Sequence, residues 1–279
     1  MSWLAHLALC LAALYAAVVA AMYLAQTWLL FPTALVGTAQ VRLPASAQRL
    51  EVRTADAELL VGVRIPAIVG EDAERAPRLV GFGGNAWNAD AVASYLHGLF
   101  PDREVAAFHY RGYAPSTGRP SAEALLADSV LVFDRLQQAN TSGRGVVAVG
   151  FSIGAGVAAH LARYRPAAGL ILVTPFDSLE ALARDHYWWA PVGLLLRHRM
   201  PTLDFVRGSP VPTALVVAEG DTIVPARRSA ALRAAIQNLV FEAGIDAGHN
   251  DLYSRPAFAA AMREALASIE GASDAASGP

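Results

Sequence analysis

A serine flanked by glycines is the strongest chemical signal in this sequence. Residues 150–154 read Gly-Phe-Ser-Ile-Gly, follow the apolar run 146–149 and precede a helical pattern that begins near Ala155. In a sharp turn from strand to helix, a serine side chain lies at the carboxyl edge of a sheet, and glycines avoid clashes where the two elements meet. The pattern predicts Ser152 as a nucleophile; a plain Gly/Ser turn that packs a helix on a strand is the alternative.

Two later residues have the types and the order that such a serine needs. Asp221 follows the apolar run 214–218, and His249 lies between the last predicted strand and the last predicted helix. A serine hydroxyl is a weak nucleophile at neutral pH, so it needs an imidazole to take its proton and a carboxylate to orient that imidazole. The order Ser152, Asp221, His249 predicts a catalytic triad. Asp177 also follows a predicted strand and is the competing acid.

Such a reaction needs two preorganised hydrogen-bond donors for the oxyanion. We expect one from the backbone N–H of Ile153, directly after the serine, and the other from Asn85 in the turn Gly83-Gly84-Asn85. Glycines allow the backbone to approach a substrate closely, although an ordinary Gly-Gly turn is the alternative interpretation.

The elements that must position these residues alternate along the chain. Short apolar runs are separated by amphipathic segments, which is typical of a parallel sheet covered by helices on both faces. The predicted strands are 50–53, 59–65, 79–82, 105–109, 146–151, 170–173, 214–218 and 239–242, and the predicted helices are 89–99, 121–138, 155–164, 179–187, 228–236 and 257–269.

The N-terminal segment is apolar and carries no Asp, Glu, Lys or Arg before Arg42. The run from Leu4 to Phe31 is long enough to cross a bilayer, and Trp3 and Trp28 lie near its ends, where indoles favour the interface. We expect an uncleaved single-pass membrane anchor; a cleavable signal peptide and a buried helix are the alternatives.

The predicted organisation has three parts. Residues 1–41 form the anchor and juxtamembrane segment, residues 42–270 form the α/β domain, and residues 271–279, which are small and polar, form a disordered tail. Three arginines after the anchor, Arg42, Arg49 and Arg53, favour a cytoplasmic catalytic domain, but a large domain can override that bias, so both orientations stay open.

Composition excludes several kinds of site. All 22 cationic residues are arginine, so a Walker A lysine or a Schiff-base lysine is impossible. The single cysteine, Cys10, excludes cysteine-rich metal sites, and the seven histidines form no metal-binding pair, so we expect neither a metal nor another cofactor. A net charge of −2 without basic clusters argues against binding of nucleic acid.

The connection between the predicted strands 170–173 and 214–218 leaves room for a small cap within residues 176–212. It contains Trp188, Trp189 and an apolar run at 194–196. Trp188 and Trp189 are predicted to bind the acyl part of a substrate; contact with the bilayer and packing of a cap helix on the core are the alternatives.

At the level of these motifs, the sequence resembles the α/β-hydrolase superfamily, and most of all its membrane-anchored serine hydrolases similar to depalmitoylases and monoacylglycerol lipases. The matching segments are 82–85, 110–113, 150–154, 220–225 and 248–249, and the resemblance covers roughly Arg49 to Ile269. Gly83 replaces the usual histidine of the family, and His109 stands where an aspartate is common.

The resemblance implies a mostly parallel sheet of about eight strands with helices on both faces, and a small cap. It also implies hydrolysis of an acyl-containing ester, thioester or amide through an acyl-enzyme. Two alternatives from other classes stay open. One is dinucleotide binding by the pattern G-x-G-x-x-A at residues 154–159, with Asp177 on the ribose. The other is a membrane-tethered interaction protein that kept the fold and lost activity.

Overall fold

An eight-stranded sheet forms the centre of the protein in a computed structural model, which describes residues 2–36, 41–68, 76–138 and 145–277. The strand order is β1-β2-β4-β3-β5-β6-β7-β8. The strands are β1 (Gln48–Arg53), β2 (Leu59–Ile65), β3 (Arg78–Phe82), β4 (Val105–Phe108), β5 (Val146–Phe151), β6 (Gly169–Val173), β7 (Thr213–Ala218) and β8 (Leu239–Ile245).

The pairing is antiparallel at one edge and parallel elsewhere. β2 pairs antiparallel with β1 and β4, whereas all pairs from β4 to β8 are parallel. Every residue of β3, β4, β5 and β6 is buried, because parallel strands need helices on both faces. The predicted fold class is confirmed, and β5, which leads to Ser152, lies in the middle of the sheet.

Helices cover the two faces in separate groups that form two apolar cores. One face carries α3 (Ala89–Leu99) and α10 (Pro256–Ser277), and the other carries α4 (Ala122–Gln138), α5 (Ile153–Tyr164) and α9 (Ala226–Ala235). Between β6 and β7 the chain forms a cap of three short helices: α6 (Leu179–His186), α7 (Val192–Leu195) and α8 (Thr202–Val206).

The last helix corrects the predicted disordered tail at residues 271–279. α10 continues to Ser277, and residues 278–279 lie outside the described part of the chain. The segment is rich in alanine, which favours helix more than the other residues do. The Ser273 hydroxyl donates to the carbonyls of Ile269 at 3.0 Å and Ala168 at 3.1 Å, which satisfies it within the helix and links the helix to the sheet.

The N-terminal segment forms two helices, α1 (Trp3–Leu30) and the short α2 (Thr33–Val36). At 1.5 Å per residue, the 28 residues of α1 extend over about 42 Å, which exceeds the hydrocarbon core of a bilayer. The described residues contain one helix long and apolar enough to cross a membrane, and its apolar window has no buried residue.

The end of α1 nevertheless docks on the cap and the core. The buried Gln26 side chain donates to the Leu195 carbonyl at 3.2 Å and accepts from the Arg197 N–H at 2.8 Å. Phe31 and Val36, only 1% and 2% exposed, belong to the core of the α4 and α5 face. The predicted boundary after residue 41 therefore does not coincide with a break in packing.

This docking predicts different costs for two truncations in the N-terminal segment. Phe31→Ala should lower the free energy of unfolding by about 3–5 kcal/mol, because it removes a fully buried ring and leaves a cavity. Leu24→Ala is the control, since Leu24 is 75% exposed and its removal leaves no cavity in the domain. Urea unfolding in detergent, followed by tryptophan fluorescence, measures both; equal effects would contradict the docking.

Candidate active site

Ser152 lies in a strained turn between the central strand β5 and helix α5. Its backbone has φ of 53° and ψ of −116°, a region that side-chain-bearing residues rarely adopt. A Cβ at position 150 would lie 2.4 Å from the Gly154 carbonyl oxygen, and one at position 154 would lie 2.1 Å from the Phe82 carbonyl oxygen. Both glycines are thus required by close backbone contacts, and the helix begins directly under the serine.

His249 contacts both Ser152 and Asp221. Its Nδ1 lies 2.7 Å from Asp221 Oδ2, and its Nε2 lies 3.1 Å from Ser152 Oγ. The network fits the tautomer in which Nδ1–H donates to the carboxylate and the serine hydroxyl donates to Nε2. The His249 and Asp221 side chains are 9% and 4% exposed, so little water competes for these bonds.

The acid loop, residues 221–225 after β7, fixes the Asp221 carboxylate from its other side. Asp221 Oδ1 accepts the N–H groups of Ile223 at 2.9 Å and Val224 at 2.7 Å. The alternative acid, Asp177, has other partners: its carboxylate accepts the Ser178 N–H at 2.8 Å and Arg228 at 3.0 Å. The geometry therefore brings Asp221, and not Asp177, to the histidine.

The loop with the predicted oxyanion donor lies beside the serine. A Cβ at Gly84 would lie 3.8 Å from Ser152 Cβ, so this loop and Ser152 are neighbours. Ile153 is the first residue of α5, where backbone N–H groups have no acceptor within the helix. The roles of Ile153 and Asn85 as oxyanion donors stay predictions.

Two tyrosines, Tyr110 and Tyr113, hold that loop. The Tyr110 hydroxyl donates to the Gly83 carbonyl at 2.8 Å, and the Tyr113 hydroxyl donates to the Asn85 carbonyl. Burial raises the pKa of both phenols, so they stay neutral donors at physiological pH. The pattern Tyr-Arg-Gly-Tyr at 110–113 was visible in the sequence, but only the fold shows that it faces the Gly-Gly-Asn turn.

Aromatic rings pack next to the triad. Trp87 stacks at a tilt on Phe151 and Tyr253, with ring centroids 5.1 and 5.2 Å apart. Burial, aided by the negative charge of Asp221 and partly opposed by a hydrogen bond with Thr174, raises the pKa of Tyr253 to about 12. The phenol therefore stays neutral and adds no second negative charge near Asp221.

Both departures from the family pattern have local explanations. At Gly83 a Cβ would lie 2.9 Å from Val92 Cγ2, so the loop passes too close to α3 for a histidine. His109 is buried, and its Nε2 lies 3.4 Å from Asp90, which also pairs with Arg49. Burial opposes ionisation of Asp90, but hydrogen bonds from His109 and Arg49 prevail and lower its pKa to about 2.

The two predicted substrate-binding tryptophans lie where the cap meets α1. Trp189 packs edge-on against Tyr15 with centroids 6.2 Å apart, and the Tyr15 hydroxyl donates to the Trp189 carbonyl at 3.0 Å. Trp188 is 82% exposed. Their contacts are with α1 and solvent, so their role in substrate binding stays a prediction.

The pattern G-x-G-x-x-A has a packing explanation. A Cβ at Gly156 would lie 2.2 Å from Met200 Sδ, and Gly154 lies against the Phe82 carbonyl, so protein atoms fill the space that a pyrophosphate would need. The dinucleotide interpretation therefore has no support in the structure. Among the described residues, no group of three or more His, Cys, Asp or Glu side chains could hold a metal ion.

Comparisons with known proteins agree with this fold. No family model matches the chain. It is 34% identical over 229 residues to the uncharacterized protein MT2364 of Mycobacterium tuberculosis, covering 79% of each chain. It is 25% identical over 272 residues to the lysophosphatidylserine lipase ABHD12 of Macaca fascicularis, covering 76% of this chain and 65% of that protein.

Among solved structures, the Pyrococcus furiosus esterase Pf2001 superposes with a TM-score of 0.64 at 17% identity, covering 83% of this chain and 96% of the esterase. The α/β hydrolase GrgF from Penicillium superposes with a TM-score of 0.62 at 17% identity, covering 82% and 98%. The chain therefore has the α/β-hydrolase fold of these structures. It belongs to the same family as the mycobacterial protein.

The contrast between the two aspartates gives a prediction. Asp221→Asn should lower kcat for p-nitrophenyl acetate by about 10⁴-fold, because the amide favours the wrong imidazole tautomer. Asp177→Asn should change kcat less than about threefold, because in the described structure Asp177 bonds Arg228 and the Ser178 N–H rather than His249. Steady-state kinetics on both variants measure this, and the reverse ranking would assign the acid to Asp177.

Proposed function

We propose that this chain is a membrane-anchored serine hydrolase that cleaves an ester, thioester or amide bond through an acyl-enzyme. The main support is the chain of hydrogen bonds from Ser152 through His249 to Asp221 at the carboxyl edge of the sheet. The strained turn at Ser152 supports the same conclusion, because such strain persists only where the surroundings enforce it.

In the proposed reaction, His249 Nε2 accepts the Ser152 proton while Oγ attacks the substrate carbonyl. The oxyanion of the tetrahedral intermediate accepts hydrogen bonds from the N–H groups of Ile153 and Asn85. The intermediate then collapses, His249 returns the proton to the leaving group, and the acyl group stays on Ser152. A water molecule, deprotonated by His249 in the same way, then attacks the acyl-enzyme and releases the carboxylic acid product. Throughout, Asp221 keeps the imidazole oriented and stabilises its charged form.

Support for a lipid-derived acyl substrate comes from the surface between α1 and the cap. An apolar cavity of about 160 Å³ lies there, with one wall from α1 and one from the cap; Ser152, Asp221 and His249 are not among its lining residues. Relatives named as lysophosphatidylserine lipases point in the same direction. The lining residues are Val19, Met22, Tyr23, Gln26, Leu29, Leu30, Ala183, Tyr187, Ala190, Pro191, Val192, Leu195 and Leu196.

The anchor is supported by the length, composition and exposure of α1. The cap adds apolar surface at the same side of the molecule, since Trp188 and Leu194 are 82% and 86% exposed and Trp189 contacts α1. Large exposed apolar side chains beside a membrane helix fit contact with the bilayer interface. Both orientations of the catalytic domain agree with these features.

The proposal predicts the outcome of active-site labelling. The full chain in detergent should react with a fluorophosphonate probe, and Ser152→Ala should abolish the reaction while the far-UV circular dichroism spectrum stays unchanged. Ser254→Ala is the matched control, because the Ser254 hydroxyl bonds only the Asp251 carbonyl on the surface. Full labelling of Ser152→Ala would remove the nucleophile assignment, and an unreactive parent chain would favour the inactive interaction protein.

The proposed acyl substrate predicts a chain-length preference. Each methylene removed from water contributes about 0.8 kcal/mol, so four extra methylenes should raise kcat/KM by about two orders of magnitude from p-nitrophenyl acetate to caproate. Trp189→Ala should reduce that rise, because Trp189 fixes the cap on α1 just before Ala190 and Pro191 of the cavity wall.

Trp3 is an exposed tryptophan at the start of α1, so Trp3→Ala is the matched control. It should keep the rise in kcat/KM from acetate to caproate. A preference for acetate in the parent enzyme, unchanged in Trp189→Ala, would mean a small substrate and an ordinary packing role for the cap.

A further inference from the structure

One cap residue makes a hydrogen bond to the acid loop that the proposed reaction does not explain. His186 is the last residue of α6, and its Nε2 lies 2.8 Å from the Ile223 carbonyl oxygen. A carbonyl oxygen only accepts, so Nε2 carries the proton in this bond. The His186 side chain is exposed, so packing of its ring in the core does not explain why it lies at this carbonyl.

The acceptor belongs to the same peptide group that holds the triad acid. The Ile223 carbonyl and the Val224 N–H form one planar amide, and that N–H donates to Asp221 Oδ1 at 2.7 Å. Hydrogen bonds in a chain polarise one another. A donor on the Ile223 oxygen therefore strengthens the N–H donor on the carboxylate and fixes the peptide plane from which it donates.

The helix that carries His186 is fixed relative to this loop. Asp185 accepts Arg228 Nε at 2.7 Å and Arg227 at 2.8 Å, and Arg228 also pairs with Asp177 at 3.0 Å. Both arginines lie in the first turn of α9, directly after the acid loop. The ion pairs hold α6 against α9, so His186 meets the Ile223 carbonyl from a constrained position.

We propose that His186 is a positioning residue for Asp221, acting through the Ile223–Val224 peptide. The inference rests on the proposed function, because it assigns the cap a part in the triad. His186 contacts neither Ser152 nor His249 through a hydrogen bond in the described structure; it orders the loop that orients the carboxylate, and the carboxylate orients His249.

Substitutions at position 186 separate this role from simple packing. His186→Ala should lower kcat for p-nitrophenyl esters about three- to tenfold with KM within about twofold, because a loosened acid acts on the chemical step. His186→Gln should restore most of kcat, because its amide nitrogen can donate to the same carbonyl. Arg184→Ala, on the same helix and paired only with Glu180, is the matched control and should leave both constants unchanged.

A double-mutant cycle with Asp221→Asn tests the route of the effect. If His186 acts through the carboxylate, His186→Ala should change the residual kcat of Asp221→Asn less than about twofold. If the double variant loses kcat by the product of the two single losses, or if His186→Gln fails to restore kcat, the inference is overturned. Fluorophosphonate labelling of the parent chain keeps the two proposals distinct: an unlabelled parent rejects the proposed function, whereas a labelled parent with an unaffected His186→Ala variant rejects only the role of His186.

Discussion

The close contact between helix α5 and the loop after β3 is the constraint on which the site depends. Gly154 lies so near the Phe82 carbonyl that no side chain fits, and Gly150 lies equally near α5 itself. These contacts hold Ser152 at a positive φ and place the first turn of α5 beside the Gly83-Gly84-Asn85 loop. Since β5 is buried in the centre of the sheet, the surrounding core supplies the free energy that maintains this strain.

Arginine side chains connect this constraint to the rest of the domain. Arg111 makes two bonds to Asp128, at 2.8 and 2.5 Å, and one to Asp56 at 2.7 Å, and these partners raise its pKa. The planar guanidinium suits such paired acceptors better than an ammonium group. Arg111 thereby fixes the segment that carries Tyr110 and Tyr113, whose hydroxyls hold the loop beside Ser152.

The sequence predicted the eight strands and the order Ser152, Asp221 and His249, but not the short cap helices α7 and α8 or the continuation of α10 to Ser277. Apolar runs located all eight strands. The signal is strongest in β3 to β6, because parallel strands at the centre of a sheet must be apolar on both faces. Position after a strand did not by itself separate Asp221 from Asp177; the order of the motifs favoured Asp221, and in the fold the 2.7 Å contact of its Oδ2 with His249 Nδ1 distinguishes it. The burial of Gln26 and Phe31 could not be predicted from the sequence either. An apolar segment has the same residue pattern whether it faces lipid or protein.

The bonds from Gln26 to the Leu195 carbonyl and the Arg197 N–H have a mechanical consequence. A membrane helix longer than the hydrocarbon thickness tilts, and the tilt angle follows the thickness of the bilayer. If α1 is the proposed anchor, a change of its tilt would therefore act first on the cap segment around Leu195 and Arg197, because these two bonds join the helix to that segment.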